Sequence, residues 1–333
     1  MTTRIGLYLQ DNIPLKSAIK YVQYAESRGF YAVWQAESRL ARDAIVPLAA
    51  YAAHTSRIYL GTGVTNIWTR NAATLASTFY TLDDLAPDRI ICGLGVWHEP
   101  LASKVGVSRE KYLIAMREVV AAVRGLLARE TVTMRGQWVN LTDVQIDAAH
   151  GRQTPRHVPV YIAATGAKLM ALAGEIADGV LLNYLVTPEY TADAVHQLEI
   201  GATQGGRTLD QIERPQLIVC SVDSLRERAL ERARPMVAQY IRQQPLVMRA
   251  NGVRADLIER IEQALPERPS AQQIEQAAHL VPDEVIQAVT ASGTPDECRA
   301  KIQTYLDAGA TYPVLYPLNP DIHSFIDIFA YGY

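Results

Sequence analysis

Two glycine-bearing turns stand at the ends of short apolar runs in the first hundred residues. One is Gly61-Thr-Gly-Val-Thr-Asn66, and the other is Cys92-Gly-Leu-Gly-Val-Trp97. In parallel α/β proteins, ligands bind at the carboxyl ends of the strands. Glycine at such a place lets the backbone approach a ligand closely or adopt angles that a side chain forbids. The turns therefore predict a ligand site, although spacing alone also fits glycines that simply end two strands.

Polar residues able to hydrogen-bond or transfer a proton follow the same strand ends. Glu37 follows the second apolar run, and Thr65 and Asn66 lie in the first glycine turn. His98 comes just after the second turn, and an imidazole titrates near neutral pH, so it is a candidate acid or base. For Glu37 and His98 the alternative is a solvated loop side chain.

A third candidate site is the loop Ala163-Ala-Thr-Gly-Ala167, between a predicted strand and a predicted helix. The N–H groups at a helix N-terminus are unpaired, and the helix dipole favours an anion there. Thr165 supplies a hydroxyl, Gly166 permits close approach, and Lys168 adds charge. The alternative is an ordinary helix capped by Thr165. We expect this loop to bind phosphate.

The elements that position these residues follow from hydrophobic periodicity. Short runs rich in Val, Ile, Leu or Tyr are typical of parallel strands buried on both faces. They cover residues 4–9, 30–35, 57–64, 89–96, 158–163, 178–183, 215–222 and 311–316. Helical patterns fill the intervals: one spans 15–28 and stops at Gly29, and another begins with a capping box at Thr294-Pro-Asp-Glu297. Eight strands alternating with helices predict an α/β protein with a (β/α)8 TIM barrel, with a doubly wound open sheet as the alternative.

Two segments interrupt the alternation of strands and helices. Residues 129–156 predict a hairpin excursion that turns near Arg135-Gly136. Residues 245–290 are rich in Arg, Glu and Gln and predict a helical insertion, either a lid over the site or a dimer contact. With these additions we expect a single barrel domain over residues 1–333.

Composition limits the class of partner. The 333 residues carry a formal net charge of −3 at pH 7, and the charged residues are scattered, so neither nucleic acid nor a membrane is an expected partner. The cysteines (Cys92, Cys220 and Cys298) lie far apart without a Cys-x-x-Cys pair, so no metal site or disulfide framework is expected. Because no signal peptide or long apolar span is evident, we expect a cytoplasmic protein.

An ordered set of sequence blocks gives a more specific indication. The blocks are Gly61–Asn66 followed by Arg70, Thr81–Leu85, Arg89–Gly95, Val160–Gly166, Ala173–Asn183 and Gly293–Glu297. In this order they resemble the bacterial-luciferase-like superfamily, within it the coenzyme F420-dependent branch, and most of all methylenetetrahydromethanopterin reductase. The resemblance implies a luciferase-like (β/α)8 barrel, usually a homodimer, that binds a flavin or 5-deazaflavin at the carboxyl ends of its strands.

The resemblance also assigns roles to the candidate residues. It implies a non-prolyl cis bond at Gly63-Val64, forming a bulge that supports one face of the deazaflavin ring and leaves the other face for hydride transfer. It places the cofactor phosphate at the loop around Thr165, with Asn183 nearby. The cofactor-binding residues that we expect are Trp34, Ser38, Gly63, Val64, Thr65, Asn66, Gly95, Val96, Ala164, Thr165, Gly166, Ala167 and Asn183.

The sequence departs from the family pattern where the substrate would react. Methylenetetrahydromethanopterin reductases carry carboxylates at the positions of Tyr8 and His98, and the family's Asp-His pair is Glu37-Ser38 here. We therefore expect hydride exchange between coenzyme F420 and another small organic substrate, or a different proton path. Tyr8, Glu37 and His98 are the candidate catalytic residues.

Three alternatives stay open. The first is an FMN-dependent monooxygenase of the same superfamily, in which the cofactor is FMN rather than F420. The second is a non-catalytic protein that only binds a flavin or deazaflavin. The third is a barrel isomerase that uses the phosphate loop without a redox cofactor, although the Lys or Glu expected at its strand ends is missing.

Overall fold

Strands and helices alternate along the chain in the computed structural model, which describes residues 4–37, 40–149 and 151–330. The first elements are β1 (Gly6–Leu9), α1 (Leu15–Ser27), β2 (Ala32–Gln35), α2 (Ile45–His54), β3 (Tyr59–Thr62), β4 (Thr65–Asn66), α3 (Ala72–Leu85), β5 (Ile90–Gly95), α4 (Leu101–Lys104) and α5 (Tyr112–Leu127). The next are β6 (Val132–Arg135), β7 (Asn140–Val144), β8 (Val160–Ala163), α6 (Ala167–Ile176), β9 (Gly179–Leu181) and α7 (Pro188–Gln204).

The remaining elements begin with the long strand β10 (Pro215–Val222). They continue with α8 (Arg226–Gln243), α9 (Pro245–Ala250), α10 (Ala255–Ala264), α11 (Ala271–Ala278), α12 (Asp283–Val289), β11 (Ala291–Gly293), α13 (Pro295–Asp307), β12 (Tyr312–Pro317) and α14 (Ile322–Phe329). None of the helices in the described ranges is long and apolar enough to span a bilayer.

The sequence predictions agree with most of these elements. The hairpin is present as β6 and β7, and α13 begins with the predicted capping box, in which Thr294 and Glu297 satisfy each other's backbone N–H groups. Of the run 57–64, only Tyr59–Thr62 forms a strand, β3; Gly63 and Val64 leave the strand, and β4 follows them at Thr65–Asn66. Strand β11 was not predicted, because three residues that include Ser292 provide no apolar run.

Two compact units can be distinguished among the described residues. The larger unit comprises residues 6–181 and 197–214, and the smaller unit comprises 4–5, 182–196 and 215–330. In the larger unit, β1, β2, β3, β5, β8 and β9 form a parallel sheet in that order, and β4 pairs with β5. Parallel strands expose all their carboxyl ends at one edge, so the residues that follow β1 to β5 meet there.

In the smaller unit, β10 lies between β11 and β12, and both pairings are parallel. The predicted helical insertion is present as α9 to α12. Its apolar side chains share one buried cluster with α8, including Ile241, Met248, Leu257 and Ile261. These four helices are therefore a packed part of the smaller unit rather than a loosely attached loop.

A carboxylate on α1 positions the segment that leads into β3. One oxygen of Glu26 accepts hydrogen bonds from the backbone N–H groups of Ser56, Arg57 and Ile58, at 2.9, 2.7 and 3.0 Å. Burial opposes ionisation of Glu26, yet the three donors outweigh it and lower the pKa of this side chain. The start of β3 is thereby tied to the adjoining helix.

We expect Glu26→Gln to lower the free energy of unfolding by on the order of 1–2 kcal/mol at neutral pH, because an amide oxygen is a weaker acceptor than a carboxylate. The folded pKa lies below the unfolded value of about 4.3. The stabilisation is therefore complete above that value and is lost as the pH falls through the folded pKa. Urea unfolding at about pH 7 and pH 3 measures both effects.

Glu262→Gln, at an exposed position of α10, is the control for this substitution. A difference between wild type and Glu26→Gln that stays constant over this pH range would contradict the assigned role of the carboxylate.

Candidate active site at the carboxyl edge of the parallel sheet

The two residues between β3 and β4 form a bulge, Gly63-Val64, and their peptide bond is cis, as the resemblance implies. The Gly63 N–H donates to the Gln35 carbonyl at 2.8 Å, and the Val64 carbonyl accepts from the Glu37 N–H at 3.3 Å. A Cβ on Gly95 would lie 2.5 Å from Cγ2 of Val64. The second glycine turn is therefore required so that β5 can pack directly against the bulge.

Trp34 supports the bulge from within the sheet. Its side chain is fully buried, and its ring lies so close to β3 that a Cβ on Gly61 would be 2.7 Å from Cε3. The ring of Tyr161 packs on it with centroids 5.6 Å apart. The sequence assigned Trp34 to the cofactor, whereas its contacts here are with the backbone that carries the bulge.

Glu37 is the centre of a hydrogen-bond network next to the bulge. Its Oε2 accepts from Oγ1 of Thr65 at 3.0 Å and from Nη1 of Arg70 at 2.7 Å, and its Oε1 accepts from Nδ2 of Asn66. The Glu37 side chain is 11% exposed. The three donors, one of them a guanidinium, hold the Glu37 carboxyl group in one orientation.

The Asn66 amide is fixed in orientation by the same network. While Nδ2 donates to Glu37, Oδ1 accepts from the backbone N–H groups of Trp68 and Thr69, both at 2.9 Å. Among the described residues, none accepts from the second N–H of this buried amide, which is therefore available for a further partner. Thr65 and Asn66 therefore lie at the strand edge as the sequence predicts, with most of their hydrogen-bonding capacity used by the protein.

Arg70 and Asp43 complete the network, and sequence analysis assigned no role to either residue. Arg70 donates to Glu37 and Thr65 through Nη1, and it pairs with Asp43 through Nη2. Arg70 follows the first of the sequence blocks that carry the family resemblance, and this is the signal that could have identified it. Asp43 stands in a loop and carries no local pattern that would identify it.

The other predicted residues are placed as follows. Tyr8 is half-buried in β1, in register with Trp34, and His98 is exposed after the end of β5. Gly95 accepts from the Ile67 N–H at 3.1 Å through its carbonyl. Asn183 belongs to the smaller unit, where its Nδ2 donates to the Tyr240 hydroxyl at 2.9 Å. Ser38 lies outside the described residues.

The predicted phosphate loop ends at an open helix N-terminus. Gly166 is the N-cap residue of α6, and as a glycine it has no side chain with which to cap the helix. Residues 165–168 are exposed, and a Cβ on Gly166 would meet no atom within 4 Å. The unpaired N–H groups and the open space fit an anion such as phosphate.

The hairpin of β6 and β7 reaches the same region through two tryptophans. The carboxylate of Glu118 on α5 accepts from the backbone N–H groups of Gln137, Trp138 and Val139, at 2.9, 2.8 and 2.8 Å. Trp138 then packs edge to face against Trp68, with centroids 4.9 Å apart. The sequence did not predict this pairing, because no local pattern relates the two residues.

Side chains of the types that bind metals do not form clusters in the part of the chain that the structure describes. Among residues 4–37, 40–149 and 151–330, no group of three or more His, Cys, Asp or Glu side chains could hold a metal ion. The three cysteines are buried as free thiols, and burial raises the pKa of Cys298 to about 12. These thiols are therefore protonated and unreactive at neutral pH.

Known proteins resemble the chain over nearly its whole length. It is 32% identical to 5,10-methylenetetrahydromethanopterin reductase of Methanolobus tindarius, over 95% of both chains. It is 30% identical to F420-dependent glucose-6-phosphate dehydrogenase of Kineococcus radiotolerans, over 92% of this chain and 88% of the relative. The solved structure of coenzyme F420-dependent tetrahydromethanopterin reductase from Methanopyrus kandleri matches with a TM-score of 0.87 and 27% identity, over 98% of this chain and 97% of the other.

This structural likeness confirms the predicted fold class, a luciferase-like (β/α)8 TIM barrel. The model of the family described as luciferase-like monooxygenase matches residues 1–312. The resemblance inferred from the ordered sequence blocks is thereby confirmed as well. The chain belongs to the luciferase-like monooxygenase family.

Proposed function

We propose that this protein is a coenzyme F420-dependent oxidoreductase that exchanges a hydride between the deazaflavin and a small organic substrate. The observation that carries the proposal is the Gly63-Val64 bulge, which packs against β5 beside the ordered Glu37 network. The names of the relatives support F420 as the cofactor, since a methylenetetrahydromethanopterin reductase and an F420-dependent glucose-6-phosphate dehydrogenase both match most of the chain.

The residues present fit this cofactor at two places. At the ring end, Val64 presents the bulge surface, and Asn66 keeps one amide N–H for a ring acceptor. At the other end, the N-terminus of α6 at Gly166 suits the phosphate, and Lys168 is exposed nearby. When bound, F420 supplies hydride transfer; the protein supplies the surface that orients the ring and the donors that hold it.

Charge near the proposed ring site is set by Glu37, Asp43 and Arg70. Two carboxylates and one guanidinium leave this cluster with a formal charge of −1 if all three are ionised. Because Arg70 donates to Glu37 directly, the carboxylate is held as an acceptor. We infer that Glu37 mainly orients Thr65 and Asn66, and that Tyr8 and His98 are better placed to move a proton to or from the substrate.

The substrate class follows from the relatives and from the departures at Tyr8 and His98. The names of the relatives indicate two small organic substrates, methylenetetrahydromethanopterin and glucose 6-phosphate. Without the two carboxylates of the reductases, a cationic intermediate would be less stabilised here. We therefore infer a reductase-like enzyme with either a different proton path or a different substrate.

Assembly and location are inferred from the same resemblance. We infer a homodimer in the cytoplasm, built from a single barrel domain that includes the hairpin and the helices of residues 245–290. Analytical ultracentrifugation of the full chain tests the dimer, since a monomer at micromolar concentration would contradict it.

Fluorescence titrations with F420 and with FMN test the proposed cofactor. We expect F420 to bind with a Kd in the micromolar range or tighter, about −8 kcal/mol or better, and FMN to bind at least about tenfold more weakly. Tight FMN binding with weak F420 binding would indicate an FMN-dependent monooxygenase, which consumption of oxygen with reduced FMN would then establish. Binding of neither would contradict the redox function.

Gly166→Asp tests the phosphate site. The new carboxylate would lie at the helix N-terminus and repel phosphate, so we expect F420 affinity to fall about tenfold or more. Stability should be unchanged or slightly raised, because Asp is a good N-cap and the space beside Gly166 is open.

Two controls accompany the Gly166→Asp variant. Gly166→Asn caps the helix without adding charge and should keep most of the affinity. A deazaflavin lacking the phosphate should bind wild type and Gly166→Asp equally well. Equal losses for Asn and Asp would show that the loop responds to shape rather than to charge.

Tyr8→Phe, His98→Gln and Glu37→Gln test the candidate catalytic residues. A residue that transfers the proton should lower turnover of reduced F420 by about 10²-fold when changed, with F420 affinity retained for Tyr8→Phe and His98→Gln. The first hydride acceptor to use is 5,10-methylenetetrahydromethanopterin. His323→Gln, exposed on α14, is the control, and unchanged turnover in all three variants would reject the assignment.

A further inference from the structure

Trp97 is held in an uncommon backbone conformation just after β5. Its φ angle is 57°, in the left-handed region, where a bulky side chain is an outlier. Residues in such conformations cluster at ligand sites, where the surrounding structure holds them. The resemblance places the segment from Gly95 to His98 beside the cofactor ring, but it assigns no hydrogen bond to the Trp97 indole.

The indole N–H of Trp97 is buried, and none of the described residues accepts a hydrogen bond from it. A buried donor without an acceptor is destabilising, and each such group in a native protein requires an explanation. The residue as a whole is only partly buried. Trp97 is therefore not fully enclosed by the protein, while its one polar side-chain atom has no acceptor among the described residues.

The position of Trp97 is determined by well-held neighbours. Gly95 pairs with Asn66 in the sheet, which places the start of this segment beside the bulge. The Val96 carbonyl accepts from Nε1 of Trp68 and from Nε of Arg109, both at 2.9 Å. Trp97 thus projects from a fixed backbone at the edge where the cofactor ring is proposed to bind.

Other tryptophans show what distinguishes Trp97. The indole N–H of Trp68 is paired with Val96 inside the protein. Trp34 also has an unpaired N–H, but that side chain is 0% exposed and packs inside the sheet. Trp97 combines an unpaired donor with partial exposure at the strand edge.

We propose that Trp97 contacts the bound cofactor and donates its indole N–H to an oxygen on the deazaflavin ring. This inference rests on the proposed function. The pyrimidine part of the ring carries carbonyl oxygens, which are acceptors suited to a fixed N–H donor. Binding would pair a donor that has no acceptor among the described residues, so the hydrogen bond adds affinity without breaking another one that the structure shows.

Trp97→Phe is the test, because it keeps an aromatic ring and removes the donor. We expect F420 affinity, measured by fluorescence titration, to fall about tenfold, a typical value for one lost hydrogen bond of about 1.4 kcal/mol. The melting temperature of the free protein should stay the same or rise, since an unpaired buried donor is removed. Weaker binding without lower stability is not expected from a merely structural residue.

Tyr80→Phe is the matched control, because it keeps the aromatic ring and removes a hydroxyl donor that is used inside the protein, on the Arg152 carbonyl at 2.9 Å. It should lower the melting temperature and change F420 affinity by less than about threefold. If Trp97→Phe does not fold, 3-benzothienylalanine at position 97 keeps the bicyclic shape and removes the same donor, and the same result is expected.

The outcomes separate this inference from the proposed function. If wild type binds F420 and Trp97→Phe binds it equally tightly, the inference is wrong and the proposed function stands. If Trp97→Phe loses stability and affinity together, as a packing residue would, the inference is also wrong. If wild type does not bind F420, both fail.

Discussion

The rest of the candidate site depends on the hydrogen bonds that the Glu37 carboxylate accepts. An ionised carboxylate only accepts hydrogen bonds, and when it is largely buried it needs donors and a nearby cation. Thr65, Asn66 and Arg70 provide them, all from the segment that follows the bulge. One side chain at the end of β2 thereby holds the turn after β3 in a single arrangement.

Close packing of backbones is the second constraint, and it determines where the bulge can lie. A Cβ on Gly93 would be 1.8 Å from the Thr62 carbonyl oxygen, a distance no side chain could tolerate. The Thr62 hydroxyl also binds β5, because it donates a hydrogen bond to the Gly93 carbonyl at 2.7 Å. Because β3 and β5 pack so closely up to Thr62, the chain leaves the strand only after this residue. The bulge therefore lies at the sheet edge where the strand ends converge.

The two ends of the proposed cofactor site differ in character. The ring end is crowded and its polar groups are mostly paired with one another, which suits the orientation of a planar group. The loop at Gly166 is open and exposed, and its N-cap residue has no side chain, which suits a charged group that stays partly hydrated.

Segments outside the sheet are also firmly held. The Glu118 carboxylate binds the backbone of the hairpin turn, and the apolar side chains of α8 share one core with those of α9 to α12.

The sequence by itself determined the features that depend on local pattern. Apolar runs predicted the strands, Thr294 and Glu297 predicted a helix start, and glycines predicted the turns at the strand ends, because periodicity and backbone freedom are properties of short segments. Only the tertiary structure decided which distant groups meet. Arg70 lies 33 residues from Glu37 and 27 from Asp43, and no local pattern encodes such partners. The missing acceptor of Trp97 likewise becomes visible only when every neighbour is in place, because hydrogen-bond pairing in a core depends on contacts between residues remote in the chain.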